Sequence, residues 1–115
     1  MDKYVREVAE KLGRGRREKV YQNALAHLLN KNKVNASLEV PHPVYFDGVC
    51  VGTTFIDILT DTCLIEIKYV KTLNDTHREQ AQAYSRDLGL DALLINFGAN
   101  PVQIELLHAD NRVQE

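Results

Sequence analysis

Apolar residues in the first third of the chain recur at the spacing of amphipathic helices. Residues 2 to 12 are compatible with a short helix, which Gly13-Arg14-Gly15 interrupts. A second helix is predicted over residues 16 to 30, because its apolar positions are three or four residues apart. Glu18 borders this stripe, which consists of Val20, Tyr21, Ala24, Leu25, Leu28 and Leu29.

The middle of the chain has the shorter apolar runs of β-strands. Residues 34 to 46 favour an extended arm, and Pro41-His42-Pro43 predicts a sheet edge, since proline cannot donate a ladder hydrogen bond. Asp47-Gly48 is a strong turn signal. Two further strands are predicted over residues 50 to 60 and 63 to 71, and they would form a hairpin.

The last third of the chain predicts a helix followed by strands. Thr76-His77-Arg78-Glu79 has the spacing of a capping box and predicts a helix that ends near residue 88. Residues 92 to 97 form a continuous apolar run, as in a strand covered on both faces, and residues 103 to 108 offer an optional last strand. The predicted fold is an α/β (α+β) domain of order αβββαβ. The inner face of its last helix would carry His77, Gln80, Ala81, Tyr84 and Leu88.

Three charged residues lie inside the apolar hairpin. A symmetric reversal at Asp61-Thr62 places Asp57 directly opposite Glu66, with Cβ atoms roughly 4.5–5.5 Å apart. Lys68 lies on the same face as Glu66, because side chains alternate along a strand. The three groups are therefore expected to converge on one patch of the sheet.

Two interpretations of this patch are open. Charged residues on a half-solvated face of a sheet commonly form a cross-strand ion-pair network. Here, however, Phe55, Leu59 and Leu64 are predicted on the same face, and burying unpaired charge is costly. The apolar neighbours favour a functional site.

The paired carboxylates determine which chemistry the patch could support. Two carboxylates about 5 Å apart repel by roughly 3 kcal/mol at an effective dielectric constant of about 20, so a cation or a proton must lie between them. Mg²⁺ takes carboxylate, water and phosphate oxygens as ligands. A neighbouring lysine could stabilise negative charge that develops at phosphorus or position the attacking water. The pattern predicts metal-dependent phosphodiester hydrolysis.

Composition bounds the domain organisation. At 115 residues and 44% hydrophobic content, the chain is expected to form a single domain over residues 1 to 115. It has no apolar run near 18 residues and no signal-peptide pattern, so we expect no membrane partner and a cytoplasmic or other intracellular location, nuclear in a eukaryotic or viral source. Cys50 and Cys63 lack zinc-site spacing and favour buried, reduced thiols.

Basic residues are concentrated near the N-terminus, although the net charge is −2. Residues 11 to 33 contain seven of the fourteen Lys and Arg residues and a single acid, Glu18. Such a segment beside an acidic metal site suits a polyanionic substrate, although a merely solvated helix face would carry the same charges. The candidate nucleic-acid-binding residues are Arg14, Arg16, Arg17 and Lys19.

The order of elements, with Asp57 on the second strand and Glu66-x-Lys68 on the third, resembles the restriction-endonuclease-like core of the PD-(D/E)xK nuclease superfamily. Within it, Gly15-Arg16-Arg17-Glu18-Lys19-Val20-Tyr21 resembles the G-x-x-E-x-x-Y signature of the GxxExxY family. The resemblance extends over about residues 5 to 108 and includes three further segments, Leu12-Gly13-Arg14-Gly15, His77-x-x-Gln80-x-x-x-Tyr84 and Leu94-Ile95-Asn96-Phe97-Gly98.

This chain departs from the family pattern at two positions. Ile56 stands where the superfamily motif has proline, and Arg14 stands where the family often has proline. Neither departure removes a catalytic group.

The resemblance implies that Asp57, Glu66 and the main-chain carbonyl of Ile67 bind Mg²⁺ or Mn²⁺, and that Lys68 is the catalytic lysine. Glu18 would be the acidic residue of the first helix of the core, and Gln80 would support the active site. The implied substrate is DNA, with RNA as the alternative. The implied assemblies are a homodimer or a larger repair or recombination complex.

Other roles remain open for several of these residues and for the whole chain. Glu18 also suits the N-terminal end of a helix dipole, and His77 and Gln80 could equally be structural. For the whole chain, the alternative is a nucleic-acid- or protein-binding module that keeps the nuclease fold without turnover, since a fold does not by itself prove an activity.

Overall fold

The computed structural model describes residues 1–109, which form three helices and five strands. The predicted single domain extends to residue 115, and residues 110 to 115 lie outside the described part. No helix within residues 1–109 is long and apolar enough to cross a membrane. In chain order the elements are α1 (Asp2–Leu12), α2 (Glu18–Lys31), β1 (Ser37–Phe46), β2 (Val49–Leu59), β3 (Cys63–Lys68), α3 (Asp75–Leu88), β4 (Asp91–Asn96) and β5 (Gln103–Leu107).

The strands form one mixed sheet in the order β1-β2-β3-β4-β5, so the optional last strand is present. Neighbouring strands are antiparallel except β3 and β4, which are parallel and joined by α3. A parallel pair needs such a crossover, because a tight turn cannot connect strand ends at opposite edges of a sheet. The arrangement confirms the predicted α/β (α+β) class and is consistent with a restriction-endonuclease-like fold.

A hydrophobic core lies on each face of the sheet. Helices α1 and α2 cover one face, where Tyr21 belongs to the same buried cluster as Ile95. Helix α3 covers the other face, where Tyr84 packs with Ala92. Because Ala92 and Ile95 of β4 lie in different clusters, this strand is buried on both faces, as its continuous apolar run predicts.

The buried face of α2 is rotated relative to the prediction. The helix begins at Glu18, and Val20 is 41% exposed rather than part of the buried stripe. Gln22 and Ala26 are buried instead. The physical reason is that α2 packs against α1 and also against β1, β2 and β3, so its buried surface is set by two sets of neighbours.

Helix α3 begins at Asp75, and its N-cap is Asn74, which corrects the capping box predicted from Thr76 to Glu79. The His77 N–H donates to the Asn74 side chain at 3.0 Å, and the Asn74 N–H donates to His77 Nδ1 at 3.2 Å. A histidine therefore completes the reciprocal cap. This capping role explains why His77 lies in the first turn of α3.

Strands β1 and β2 form a long antiparallel ribbon that ends at the Asp47-Gly48 turn. Both turn residues have positive φ, 55° and 78°, as a two-residue hairpin turn of this kind requires. Strand β1 lies at the edge of the sheet, as its prolines predict. Most of the ribbon is exposed, and only the inner end of β2 is buried.

Candidate active site

The β2–β3 hairpin has the register expected from a reversal at Asp61-Thr62. Ile58 pairs with Ile65 and Leu59 pairs with Leu64. At the next pair, Asp57 and Glu66, hydrogen bonds to side chains take the place of backbone hydrogen bonds between the strands. The Asp57 N–H donates to Glu66 Oε2 at 3.1 Å, and the Ile67 N–H donates to Asp57 Oδ2 at 2.8 Å. The two carboxylates therefore bridge β2 and β3 at the place where the strands separate.

The regular alternation of β2 breaks at Asp57. Ile56 packs in the α3 cluster, whereas Ile58 packs in the cluster beneath α1 and α2. On β1, Leu38 pairs with Ile58 and Val40 pairs with Ile56, so Glu39 lies between these two pairs. Glu39 has a left-handed φ of 49°, which is uncommon for a residue other than glycine. This local irregularity allows the Asp57 carboxylate to turn towards β3.

The predicted common face of the patch is therefore divided in the structure. Leu59 and Leu64 pack in the cluster beneath α3, as expected for buried apolar side chains. Phe55 instead is 56% exposed and shares a cleft with Asp57. The break in alternation explains why these three residues do not line one surface.

Burial controls the protonation of the carboxylate pair. Glu66 is only 4% exposed, and burial, reinforced by the charge of Asp57, raises its pKa to about 8. Burial also raises the pKa of Asp57, although the Ile67 N–H and the Lys68 charge oppose this shift. Lys68 is half-buried and forms no ion pair with any residue in the described part of the chain.

Each carboxylate keeps one oxygen that no protein group donates to. Glu66 Oε1 and Asp57 Oδ1 have no hydrogen-bond donor among residues 1–109, while Oε2 and Oδ2 bridge the strands. No buried side-chain N or O atom in the same residues lacks a partner. Glu66 Oε1 must therefore keep contact with solvent.

Glu18 joins α2 to the segment that follows β3. It is the first residue of α2, and its Oε2 accepts a hydrogen bond from the Tyr69 N–H at 2.9 Å. Its charge also raises the pKa values of Asp57 and Glu66. Glu18 is thus close to the carboxylate pair. Its position at the start of α2 therefore has a consequence for the site in addition to any interaction with the helix dipole.

Asn96 of β4 also binds the segment that follows β3, at Val70. It was not predicted as a site residue from the sequence. It is fully buried, its Oδ1 accepts from the N–H groups of Val70 and Gly98, and its Nδ2 donates to the Val70 carbonyl. A Cβ at Gly98 would overlap the backbone of Val70, which explains the glycine. The signal in the sequence is a single amide inside the apolar run of β4.

An open cleft of about 260 Å³ lies beside Asp57. Glu39 in this cleft pairs with Lys19 Nζ at 2.9 Å and accepts from Gln22 Nε2 at 3.1 Å. Neither Glu39 nor Gln22 was predicted as a site residue from the sequence. Gln22 could have been found because it lies one turn after Glu18 on the same helix face. The lining residues are Glu18, Lys19, Gln22, Glu39, Phe55 and Asp57.

A second and larger cavity, of about 350 Å³, lies between α1 and the loop at residues 97 to 102. Arg6, Glu10 and Arg14 contribute to its wall. It contains none of the carboxylates that bridge β2 and β3, so the smaller cleft beside Asp57 is the candidate active site.

The candidate basic residues surround the start of α2, and all of them are exposed. Arg14 Nη2 donates to the Gly98 carbonyl at 3.0 Å, and Arg16 Nε donates to the Leu12 carbonyl at 2.7 Å. Lys19 pairs with Glu39, whereas Arg17 forms no hydrogen bond or ion pair through its side chain within residues 1–109. Arg14 and Arg16 therefore also hold the loop between the two helices.

Tyr21 holds the loop between α1 and α2 through its hydroxyl group. Its hydroxyl donates to the Gly13 carbonyl at 2.7 Å and accepts from the Arg16 N–H at 3.2 Å. Its ring stacks on Phe97 and Tyr69, with centroids 4.6 and 5.7 Å apart. The role of Tyr21 in the structure is thus packing and support of the loop that precedes Glu18.

Gln80 is an exposed residue of α3. The buried residues of α3 are Ala81, Tyr84 and Ser85. Gln80 is exposed and makes no hydrogen bond to Asp57, Glu66 or any other described residue. Leu88 is also 37% exposed, because the chain turns at Gly89. The supporting role of Gln80 in the active site therefore stays a prediction.

The donor set at Asp57 and Glu66 fits a hard divalent cation. Two carboxylate oxygens without protein donors, together with the Ile67 carbonyl, offer oxygen ligands of the kind that Mg²⁺ takes when water and substrate complete its shell. A protein-only cage is not formed, since residues 1–109 contain no group of three or more His, Cys, Asp or Glu residues arranged for a metal.

Comparison with known proteins agrees with this geometry. A family model described as the PD-(D/E)XK nuclease superfamily matches residues 1–106, which include every residue of the cleft and both bridging carboxylates. No curated protein and no solved structure gives a significant match. Because the match extends over nearly the whole chain, this protein belongs to the PD-(D/E)XK nuclease superfamily.

Proposed function

We propose that the protein is a Mg²⁺-dependent nuclease that hydrolyses phosphodiester bonds of DNA. The observation that carries this proposal is the pair of bridging carboxylates. Asp57 and Glu66 each use one oxygen to join β2 to β3 and leave the other oxygen without a protein donor. Membership of the superfamily supports a nuclease-type function.

Asp57, Glu66 and the Ile67 carbonyl would hold the ion, which when bound supplies Lewis acidity and neutralises phosphate charge. The Lys68 ammonium would stabilise the charge that develops on the phosphoryl oxygens. Glu18 acts as a positioning residue, because it holds the Tyr69 N–H directly after Lys68. The proposed role of Gln80 rests on the resemblance alone.

The exposed basic residues at the start of α2 would bind the nucleic-acid backbone. Arg17 has no competing partner in the described chain, and Arg14 and Arg16 retain further N–H groups beyond those that hold the loop. Phosphate contacts of this kind carry no sequence information, so we expect little sequence specificity. RNA is the alternative substrate.

We place this activity inside the cell. Cys50 and Cys63 are both free in the structure, and the exposure of Cys50 contradicts the prediction that both thiols are buried. An exposed, unpaired thiol suits a reducing compartment.

Cleavage of plasmid and linear DNA with Mg²⁺ or Mn²⁺ tests the proposal. Asp57→Ala and Lys68→Ala should abolish cleavage, because they remove a ligand and the charge that stabilises the phosphoryl group. Asp61→Ala is the matched control, since Asp61 is an exposed acid in the turn of the same hairpin. Cleavage by Asp57→Ala and Lys68→Ala at the rate of the parent protein would show that the assigned site is wrong.

A second candidate function is a binding module without turnover, or a subunit that acts only within a repair or recombination complex. One observation favours it. A pKa of about 8 keeps Glu66 largely protonated at neutral pH without a cation. Metal binding separates the two functions.

A further inference from the structure

Phe55 places an exposed aromatic ring in the cleft beside Asp57. Its side chain is 56% exposed, and it belongs to neither of the buried clusters on the two faces of the sheet. Within residues 1–109 its ring makes no contact with another aromatic ring. The ring of Phe55 is therefore accessible to a ligand that enters the cleft.

The direction of Phe55 follows from the alternation of side chains along β2. Ile56 packs in the cluster beneath α3. Phe55 therefore projects to the other side of the strand, where the first turns of α2 form the opposite wall of the cleft. Its direct partner on β1 is Pro41, which projects to the same side and is also exposed. The ribbon wall of the cleft thus continues as an uncharged surface.

The two walls of the cleft differ in charge. The α2 wall contains Lys19, and Arg17 precedes the helix as an exposed cation. The ribbon wall offers no cation, since residues 34 to 67 contain no Lys or Arg. Because cations hold the phosphates of a nucleic acid, its backbone should follow the α2 wall. Its bases are then directed towards the ribbon and Phe55.

The acids of the cleft also distinguish a base from a phosphate. Glu39 and Asp57 line the cleft together with Phe55, and their negative charges repel any phosphate that a cation does not hold. A nucleobase is uncharged and has a flat π face, which is the group that stacks on an aromatic side chain. Phe55 therefore fits the base of a nucleotide and not its phosphate.

The size of the cleft limits how much of a nucleic acid can enter. Its volume of about 260 Å³ lies below the roughly 300–1,000 Å³ of pockets that enclose drug-sized ligands. One nucleotide of a strand can occupy this space, whereas two paired strands cannot. In a duplex, moreover, both faces of each base are covered by the neighbouring base pairs. Only an unpaired base has a free face for Phe55.

The position of Phe55 along β2 relates this base to the carboxylates. Phe55 and Asp57 are two residues apart in the strand, which corresponds to roughly 6–7 Å. A nucleotide can span this distance. When a phosphate lies at Asp57 and Glu66, an adjoining base can therefore lie on Phe55.

We propose that Phe55 is the stacking surface for an unpaired nucleobase and makes single-stranded DNA the preferred substrate of this site. The inference rests on the proposed nuclease function, because it places the phosphate to be cleaved at Asp57 and Glu66. Stacking tolerates every base, so this preference concerns strandedness and not sequence.

Fluorescence anisotropy with a labelled single-stranded oligodeoxynucleotide tests the proposal in EDTA at low salt, where binding is measured without metal-dependent cleavage. The parent protein should bind the single strand more tightly than a duplex of the same length. Phe55→Ala should weaken single-strand binding by about 5- to 150-fold, which corresponds to about 1–3 kcal/mol per stacked base. Phe55→Trp should retain binding, whereas Phe55→Leu, which is apolar but has no π face, should lose it.

Phe46→Ala is the matched control. Phe46 is a 73% exposed aromatic residue of the same ribbon, but along β1 it alternates with Pro41 and projects to the other side. It should bind the single strand like the parent protein, and circular dichroism verifies that the variants are folded. A strand of equal length without bases should bind the parent protein and Phe55→Ala equally, because no base is left to stack.

Unchanged single-strand binding in Phe55→Ala, or an equal loss in Phe46→Ala, would overturn the inference. So would duplex binding by the parent protein as tight as its single-strand binding. Cleavage of duplex DNA that requires Asp57 but not Phe55 would overturn it and leave the proposed nuclease function intact. Single-strand binding that requires Phe55, without cleavage in Mg²⁺ or Mn²⁺, would support the stacking surface and contradict the nuclease function.

Discussion

At the scale of single residues, Glu66 shows how one side chain can link two strands and still remain available for chemistry. Its Oε2 accepts the Asp57 N–H, and its Oε1 reaches solvent although the residue is almost fully buried. Burial beside a second carboxylate makes the charged form unfavourable, so the site favours a proton or a cation. The same property makes the stability of the metal-free protein depend on pH.

The pKa of Glu66 is raised from 4.5 to about 8, so the folded protein holds a proton that the unfolded chain has lost. The free energy of unfolding should therefore fall as pH rises from about 4.5 to 8, by up to ~1.4 kcal/mol per pH unit from this group. Glu66→Gln cannot ionise and should remove this slope. Urea unfolding in EDTA at several pH values measures it.

Glu105→Gln serves as the control for this experiment. Arg78 lowers the pKa of Glu105, so its contribution to stability is lost only as pH falls below its ordinary range. The slope between pH 4.5 and 8 should persist in this variant. An unchanged slope in Glu66→Gln would contradict the proposed protonation of Glu66.

At the scale of elements, β3 ends at Lys68 because side chains of two other elements hydrogen-bond to the backbone of the residues that follow. Glu18 of α2 accepts from the Tyr69 N–H. Asn96 of β4 accepts from the Val70 N–H and donates to the Val70 carbonyl. The sequence predicted a strand up to residue 71. These long-range hydrogen bonds, rather than a proline or glycine in the sequence, end the strand.

Asn96→Ala should reduce the free energy of unfolding by about 3 kcal/mol, because buried backbone groups of Val70 and Gly98 lose their partners. Cleavage should also decrease, since the segment after Lys68 is released. Chemical denaturation and the DNA cleavage assay measure the two effects. Asn32→Ala, which removes one exposed bond to the Leu28 carbonyl, should cost less than 1 kcal/mol. Equal losses of unfolding free energy in the two variants would contradict the proposed role of Asn96 in holding the segment after Lys68.

At the scale of the whole molecule, the cleft is assembled from α2, β1 and β2, with β3 behind it. Asp57 of β2 and Glu66 of β3 both have raised pKa values, so their charged forms oppose folding without a cation or a proton. A metal ion that binds only the folded protein should therefore stabilise the entire domain.

At free Mg²⁺ ten times above its dissociation constant, the free energy of unfolding should rise by about 1.4 kcal/mol. Glu66→Ala should lose this gain and the corresponding calorimetric signal, whereas Glu105→Gln should retain both. Absence of binding to the parent protein at millimolar Mg²⁺ or Mn²⁺ would favour the binding module over the enzyme.

The sequence alone determined the features that depend on local periodicity. The turn at Asp61-Thr62 set the register that brings Asp57 and Glu66 together, because strand pairing follows directly from a short hairpin. The prolines placed β1 at an edge, and the continuous apolar run identified β4 as a strand covered on both faces.

Only the tertiary structure decided which helix residues reach the site. Helical spacing shows which residues share a face, but the rotation of that face depends on all the elements packed against it. The rotation of α2 places Gln22 in the cleft and turns Val20 outward. The partner of Glu18 lies 51 residues away at Tyr69, a contact that no local pattern encodes.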